Sequence, residues 1–486
     1  MRISTARPKI FKCPVHGYVS IPRVLVDNLI DTEIFQRLRF IEQTSMRPLY
    51  PSAHHNRFVH SLGVYELSSL AFHHICKNTP EKIVKPQVLE KYRWTFCIAA
   101  LMHDCGHAPF SHTFEHFYQV ECRAQNLLFS EISSYDRNFQ ADFNDRECRG
   151  LGPSAHEIFS AAIFLKYYRK ICSKFTPKVY PTLVARMITG VVHRNPNTPK
   201  KQIENCLIKL INGPIDVDKI DYVMRDTWAS GVCNVPIDTI RLLSALLLCK
   251  YDGHIIPAFN KSALSVIQNV IEGRNFLYQW IYTHHTVCYF DHLLKNTINR
   301  VFKLLSPKSN PDRLIKVIFS HEVFEKPISC CTRRLYLPTD GDITALMKCC
   351  KKNTPGINEL LSRKPNLVPL WKTRAEFESI FEKKTTATLR EDIVDRIPQL
   401  LKTVIPKKYV KHILTLPIQC KLVDIREAEI YVSLSGNVCK FVDVVPTAVS
   451  NNEALSSFYY IFIHRDCIKY REKCISAIKL APSYMY

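Results

Sequence analysis

The chain carries 66 lysines and arginines against 44 aspartates and glutamates over 486 residues, a formal charge of +22, and 46% of its residues are hydrophobic. That length can bury a large core and hold a main domain with a smaller lobe, whereas 13 glycines, 28 scattered prolines and no low-complexity tract exclude a repeat array or long disordered linkers. Met1 to Pro8 lacks the apolar stretch of a signal peptide, the longest greasy run, Leu242 to Leu248, is interrupted by Ser244, and the 19 cysteines include no C-x-x-C pair. No membrane contact is therefore expected, and reduced thiols, the doublets Cys330-Cys331 and Cys349-Cys350 among them, fit a cytoplasmic chain.

Lys9 to Val19 alternates apolar and polar residues around Pro14 and Gly17, which predicts a short strand or hairpin. Ile21 to Leu29 and Thr32 to Ile41 have apolar residues at helical spacing, with Asp31 placed as a cap. After the break at Pro48, Pro51 and Ser52, a helix carrying His60 in its first turn is predicted to run to about Cys76, with Leu62, Tyr65, Phe72 and Ile75 on or near one face. His73 and His74, farther along it, read as surface or core residues. Tyr92 to Met102 has the composition of a buried helix and delivers His103 and Asp104 at its end; Gly106 and Pro109 then break it and carry His107 and His112 round. Residues 121–153 are a polar interval bounded by Gly150 and Gly152, read as a lid or a surface insertion, and His156 follows Pro153 at a helix start.

Asp218, Tyr222 and Asp226 are spaced by four and so line one helical face with Lys219 beside it. Flanked by Val217, Ile220, Val223 and Met224, that stripe suits a site wall better than a solvated surface. Arg274, Asn275 and Tyr282 occupy another aromatic-rich helical segment. Past about residue 300, helical stretches near Ile343 to Cys350 and Ile393 to Val404 give way to strand-like runs at Ile413 to Val423, Glu429 to Leu434 and Phe458 to Ile463. The expected fold is mainly α: a helical core over residues 1–300 and a smaller mixed α+β C-terminal lobe over 301–486. Residues 301–420 hold 22 basic against 12 acidic residues. Clusters such as Lys348-Cys349-Cys350-Lys351-Lys352 and Lys407-Lys408 suit nucleic acid, nucleotide phosphates at subunit interfaces, or a solvated basic face.

The stretch Leu101-Met102-His103-Asp104-Cys105-Gly106-His107-Ala108-Pro109-Phe110-Ser111-His112 offers three imidazoles and one carboxylate. Neutral imidazole with carboxylate suits Fe, Mn or Zn better than Ca, although an isolated His-Asp pair also fits a helix-terminal histidine beside a capping aspartate. Two further stretches change the odds: His55-Asn56-Arg57-Phe58-Val59-His60-Ser61-Leu62-Gly63-Val64-Tyr65 upstream and Ile215-Asp216-Val217-Asp218-Lys219-Ile220-Asp221-Tyr222-Val223-Met224-Arg225-Asp226 downstream. One His, then His-Asp, then a distant Asp is the order of ligands in the HD phosphohydrolase superfamily. In this wording, and with Phe35-Gln36-Arg37-Leu38-Arg39-Phe40-Ile41, the chain from about Lys9 to about His285 closely resembles the deoxynucleoside triphosphate (dNTP) triphosphohydrolases of the SAM-and-HD-domain type and their bacterial relatives.

The resemblance implies a metal-dependent enzyme that releases deoxynucleoside and inorganic triphosphate from dNTPs. His60, His103, Asp104 and Asp218 are the implied ligands of a divalent transition metal, Fe, Mn or Zn, with Mg accompanying the triphosphate. His112 is the candidate acid for the leaving 5′-oxygen, with His107 and His156 on phosphate charge. Arg57, Lys219 and Arg274 offer the cations a triphosphate requires, and Tyr222 adds to the same wall. Gln43 and Asp226 match residues on the 3′-hydroxyl, and Tyr282 one that packs on the sugar; Thr44, Tyr278 and Thr283 are not the usual residues around the base. Lys9, Asp31, Gln36 and Arg39 match the binding site of a regulatory guanine nucleotide, from whose pattern Lys12 and Cys13 depart, and a homo-oligomer, a tetramer by resemblance, is implied. Two alternatives stay open: an HD phosphohydrolase acting on another nucleotide or as a nuclease, and a nucleic-acid-binding regulatory protein whose basic C-terminal region carries the function.

Overall fold

A computed structural model describes residues 7–115, 117, 123–233, 235–330, 333–352, 354–381, 396–419, 422, 428–445 and 458–480. The fold is mainly helical and divides into two units that interleave along the chain: Met1–Arg274, Ile298–Cys350 and Val423–Ser450 in the first, Asn275–Thr297, Lys351–Leu422 and Asn451–Tyr486 in the second. The expected boundary near residue 300 falls within Ile298–Cys350, a segment of the first unit.

The first unit opens with the predicted hairpin, Lys9–Cys13 antiparallel to Gly17–Ile21, closed at Gly17 with a left-handed φ of 76°. Its alternation buries Val19 and Ile21 and leaves Ile10 and Tyr18 outside. The two helices predicted next are shorter and broken into Arg23–Leu25, a π turn Val26–Ile30, Glu33–Gln36 and a 3-10 turn Arg37–Phe40. Asp31 does not cap the later helix. Its backbone N–H closes the turn before it onto the Val26 carbonyl, and Thr32 occupies the capping position, its hydroxyl bonded instead to the Leu29 carbonyl at 2.6 Å.

Helix α1 (Arg57–Asn78) begins at Asn56, whose side chain accepts the Val59 N–H, and buries 14 of its residues. That buried surface needs partners, and α1 packs on α2 (Arg93–Met102) and on the strand Leu246–Tyr251. The interval read as a lid or surface insertion forms, over its described residues, a pair of packed helices, α3 (Arg123–Ile132) and α4 (Phe139–Cys148). Leu128, Ile132, Phe139 and Phe143 are buried there, and Asp136 and Asp142 pair with the buried Arg186 at 2.7 and 2.9 Å. Next come α5 (Ala155–Ile163), started by a Ser154–Glu157 capping box, α6 (Pro181–Thr189), α7 (Pro199–Ile211) and α8 (Val217–Ser230), which Asp216 caps and Gly231 ends at φ 71°. Gly63 lets α8 approach α1: a Cβ there would lie 1.9 Å from an Asp221 carboxylate oxygen. Strands Leu246–Tyr251 and His254–Asn260 form a hairpin to which Tyr431–Leu434 adds in parallel and Asn437–Lys440 antiparallel. Helix α9 (Asp340–Cys349) lies in the same unit.

The second unit is the mixed α+β region. Its antiparallel sheet runs Leu367–Pro369, Phe458–His464, Leu414–Ile418, with the central strand buried on both faces. Trp371 anchors the core by donating its indole N–H to the Tyr459 carbonyl at 2.6 Å, among Phe377, Phe381, Ile397 and Leu401. Of the predicted later elements, residues 393–395, 420, 421 and 423 lie outside the described residues. Among the described residues no helix is long and apolar enough to cross a membrane.

Candidate metal centre

Four side chains from three helices meet in the first unit. His60 comes from the first turn of α1, His103 and Asp104 directly follow α2, and Asp218 sits in the first turn of α8. The Nε2 atoms of both imidazoles face the two carboxylates: His60 lies 3.0 Å from Asp218 and 3.7 Å from Asp104, His103 lies 3.6 and 3.5 Å from them. Ligands held about 2.1 Å from one ion stand about 3.0–3.4 Å apart, close to this spacing.

The tautomers follow from what lies behind each ring. His60 Nδ1 donates to Asp221 Oδ2 at 2.7 Å and His103 Nδ1 donates to the Ala100 carbonyl at 2.8 Å, so both Nε2 atoms present lone pairs. Those two buried atoms have no hydrogen-bond partner among the described residues. Lone pairs facing carboxylates across so short a gap repel unless a cation lies between them, so the donor set fits a divalent transition metal. The same field acts on protons: burial opposes charge on His60, but the Asp218 and Asp221 carboxylates push its pKa up to about 9. Burial would raise the Asp104 carboxyl, yet the Arg57 guanidinium and the neighbouring imidazoles hold it well below the usual carboxylate range.

A second cluster lies beyond Gly106, where an added Cβ would meet the Ser160 backbone at 2.7 Å, so that only glycine lets this loop press on α5. His107 stacks on His156 with centroids 4.4 Å apart, and His112 stands edge-on to both at 5.2 Å. Glu115 bridges the other two: His156 Nδ1 donates to one oxygen at 2.8 Å and His112 Nδ1 to the other at 3.0 Å. Burial, then Arg57, pushes the His107 pKa well below its ordinary value, so this ring is neutral. Burial opposes charge on His156 as well, but Glu115 outweighs it and raises the pKa.

The remaining predicted residues are placed as follows. Arg57 is turned inward, donating to Asp104 Oδ2 at 2.7 Å, Ser111 Oγ at 2.9 Å and the Gln43 carbonyl at 3.0 Å, so it orients the Asp104 carboxylate. Gln43 is buried, its Oε1 without a partner among the described residues. Lys219 Nζ is 2.6 Å from the buried Asp216, Tyr222 Oη accepts from Arg274 Nε at 3.0 Å, and Asp226 binds His55 Nε2 at 2.6 Å. Tyr282 belongs to the second unit, edge-on to Tyr278 at 5.0 Å. Lys9 pairs with Asp31 at 3.5 Å, Gln36 joins Arg39 at 2.7 Å, and Arg39 lies 3.6 Å over the Phe58 ring, which also meets Phe11 beneath Lys9. These four therefore share one patch.

Sequence reasoning missed Asp221, Arg225, His16, His55 and Glu115. Asp221 takes hydrogen bonds from His60, from His16 of the hairpin turn at 2.5 Å and from both ends of the Arg225 fork at 2.8 Å. Its four-residue spacing to Arg225 was a usable signal, as was the three-residue spacing of His112 and Glu115.

No family model matches the chain. It is 29% identical over 300 residues to the uncharacterized protein YwfO of Bacillus subtilis, covering 61% of this chain and 56% of that protein. It is 26% identical over 369 residues to the HD domain-containing protein L394 of Acanthamoeba polyphaga mimivirus, covering 73% and 72%. It is 29% identical over 285 residues to the deoxynucleoside triphosphate triphosphohydrolase SAMHD1 of Danio rerio, covering 58% and 43%. The chain thus spans about half the length of YwfO and of the Danio rerio protein. A crystal structure of a hypothetical protein from Aquifex aeolicus shares the fold, with a TM-score of 0.59 at 20% identity over 97% of this chain and all of that one. With its His, His-Asp and Asp side chains converging as described, the chain is similar over more than half its length to HD-type proteins and to the dNTP triphosphohydrolases.

Proposed function

We propose that this protein is a metal-dependent dNTP triphosphohydrolase, with residues 1–300 as the HD phosphohydrolase domain. The observation that carries the reading is the convergence of two orphaned imidazole nitrogens and two carboxylates, with His60, His103 and Asp104 each held from behind by a second polar group. His60, His103, Asp104 and Asp218 would hold Fe, Mn or Zn, which when bound supplies Lewis acidity toward a phosphate oxygen and a water.

The chain's own residues account for the rest of the chemistry. Hydrolysis at the α-phosphorus breaks its bond to the 5′-oxygen, which must take up a proton. His112 is 60% exposed, and with Nδ1 bonded to Glu115 its Nε2 is the atom that carries that proton. Burial lowers the His112 pKa on balance, and the Glu115 carboxylate opposes that shift by favouring the imidazolium that gives up the proton. His107, neutral, donates or accepts without adding charge, while His156, raised by Glu115, contributes positive charge to the triphosphate, as do Lys219, Arg274 and an accompanying Mg. Arg57 acts through Asp104. Gln43, Tyr222 and Asp226 are assigned to the deoxynucleoside. The patch of Lys9, Asp31, Gln36 and Arg39 is assigned to a regulatory nucleotide in a homo-oligomer.

The test is to incubate metal-loaded protein with each dNTP and NTP and separate the products. Deoxynucleoside and intact triphosphate are expected. Release of diphosphate or single phosphate, or turnover of ribonucleotides alone, would move the site to another nucleotide reaction.

A further inference from the structure

We propose that Asp340, at the start of α9, is a positioning residue for the active site: its carboxylate fixes the backbone at Glu42 and Phe110, and through them Gln43, Ser111 and His112. Asp340 Oδ1 accepts the Phe110 N–H at 2.6 Å and Oδ2 accepts the Glu42 N–H at 2.8 Å. Its own helix does not need it, because α9 is capped by Thr339 and Asp342, whose side chain takes both the N–H and the hydroxyl of Thr339. Both oxygens are thus spent on segments far away in sequence.

Those segments need an external hold. Phe110 and Ser111 are successive non-glycine residues with φ of 57° and 50°, a left-handed conformation that L side chains disfavour. The strained pair leads directly into His112. From the Glu42 side, the Glu42 carbonyl accepts the Ser111 hydroxyl, Ser111 Oγ accepts from Arg57, and Arg57 grips Asp104. Arg37 ties the same segment to the site by donating to the Pro338 carbonyl at 3.1 Å and the His107 carbonyl at 2.6 Å. The stretch 338–340, which no motif marked, is bonded to both sides of the histidine cluster.

The charged groups facing Asp340 are Glu42 and Arg37. Burial pushes its carboxyl up to about 7 despite the two N–H donors. Protonation turns one oxygen into a donor and leaves one of the two amides without an acceptor, so the hold weakens on acidification.

Amide hydrogen exchange of the full chain reads this without reference to turnover. Asp340→Asn and Asp340→Ala should speed exchange in segments 40–46 and 105–115 about tenfold at about pH 8, with the other protected amides unchanged. Asp342→Asn, which loosens the helix cap alone, should leave both segments as in the parent. Corrected for intrinsic rates, the parent should show the same loosening between about pH 8 and about pH 6, and Asp340→Asn should not. The near-isosteric Asn variant carries the test if the Ala variant does not fold. Unchanged exchange in both segments, or an equal rise in Asp342→Asn, overturns the proposal. The inference rests on the proposed function only in taking Gln43 and His112 as site residues. The expected exchange pattern in a protein that hydrolyses no dNTP would support the positioning role and overturn the substrate reading.

Discussion

His60 is steered by a carboxylate that belongs to no ligand motif. Asp221 holds its Nδ1 while also accepting from His16 and Arg225, so one buried side chain ties the hairpin turn, α1 and α8 together. Two sets of variants separate the roles. His103→Ala and Asp104→Ala should bind no metal yet stay folded, because each removes a ligand; elemental analysis at the wild-type metal content would remove that residue from the ligand set. Asp221→Asn should keep the ligands but weaken metal affinity about 10–100-fold in chelator competition, and lower Tm because Arg225 loses its buried counter-charge. The His103-Asp104 pair was legible because adjacency at a helix end is visible in one line of sequence. Asp221 was not, since it lies off the four-residue stripe of Asp218, Tyr222 and Asp226, and its role depends on the close approach that Gly63 permits.

At the scale of elements, α3 and α4 show how charge counting misleads. Residues 121–153 read as a lid or a surface insertion, and most of the described residues from 131 to 150 are exposed, yet Asp136 and Asp142 are turned onto Arg186, and Phe139 and Phe143 pack beneath. Arg186→Ala leaves two carboxylates without their cation in a largely dry setting, so a loss of about 3–5 kcal/mol of stability is expected, with metal content unchanged. Denaturant unfolding of the variant checks this; a change below about 1 kcal/mol would make the pair an ordinary surface interaction. Helices α1 and α2 were placed well from sequence, α1 by apolar residues at helical spacing and α2 by its nearly continuous apolar run. The segment from Ile21 to Ile41 was not, because the break at Asp31 and Thr32 is decided by the bond from the Thr32 hydroxyl back to the Leu29 carbonyl, a competition between local side chain and helix that periodicity does not register.

For the whole molecule the proposed homo-oligomer raises the question of how a chain of charge +22 would meet its own copies. The mainly helical class and the α+β region were legible from the run of apolar patterns. The return of Tyr431–Leu434 to pair in parallel with His254–Asn260 was not, because strand pairing between distant segments leaves no local trace. Like-charged copies repel, most strongly within a Debye length of about 8 Å at physiological salt, and an anion bound between them would offset part of the basic excess. The hairpin and the turn after it carry exposed apolar side chains, Ile10, Tyr18 and Phe40 at 62, 69 and 64%, on the same elements as Lys9 and Arg39 of the proposed nucleotide patch. A regulatory nucleotide bound there would lower repulsion where the apolar side chains meet a neighbour. Light scattering should therefore report a small species without nucleotide and four copies with dGTP, and Phe40→Glu should block that growth while leaving bound metal unchanged. A monomer in both conditions, with full activity, would defeat the proposal. Growth in the Phe40→Glu variant equal to that of the parent would keep the oligomer but move its interface away from the hairpin.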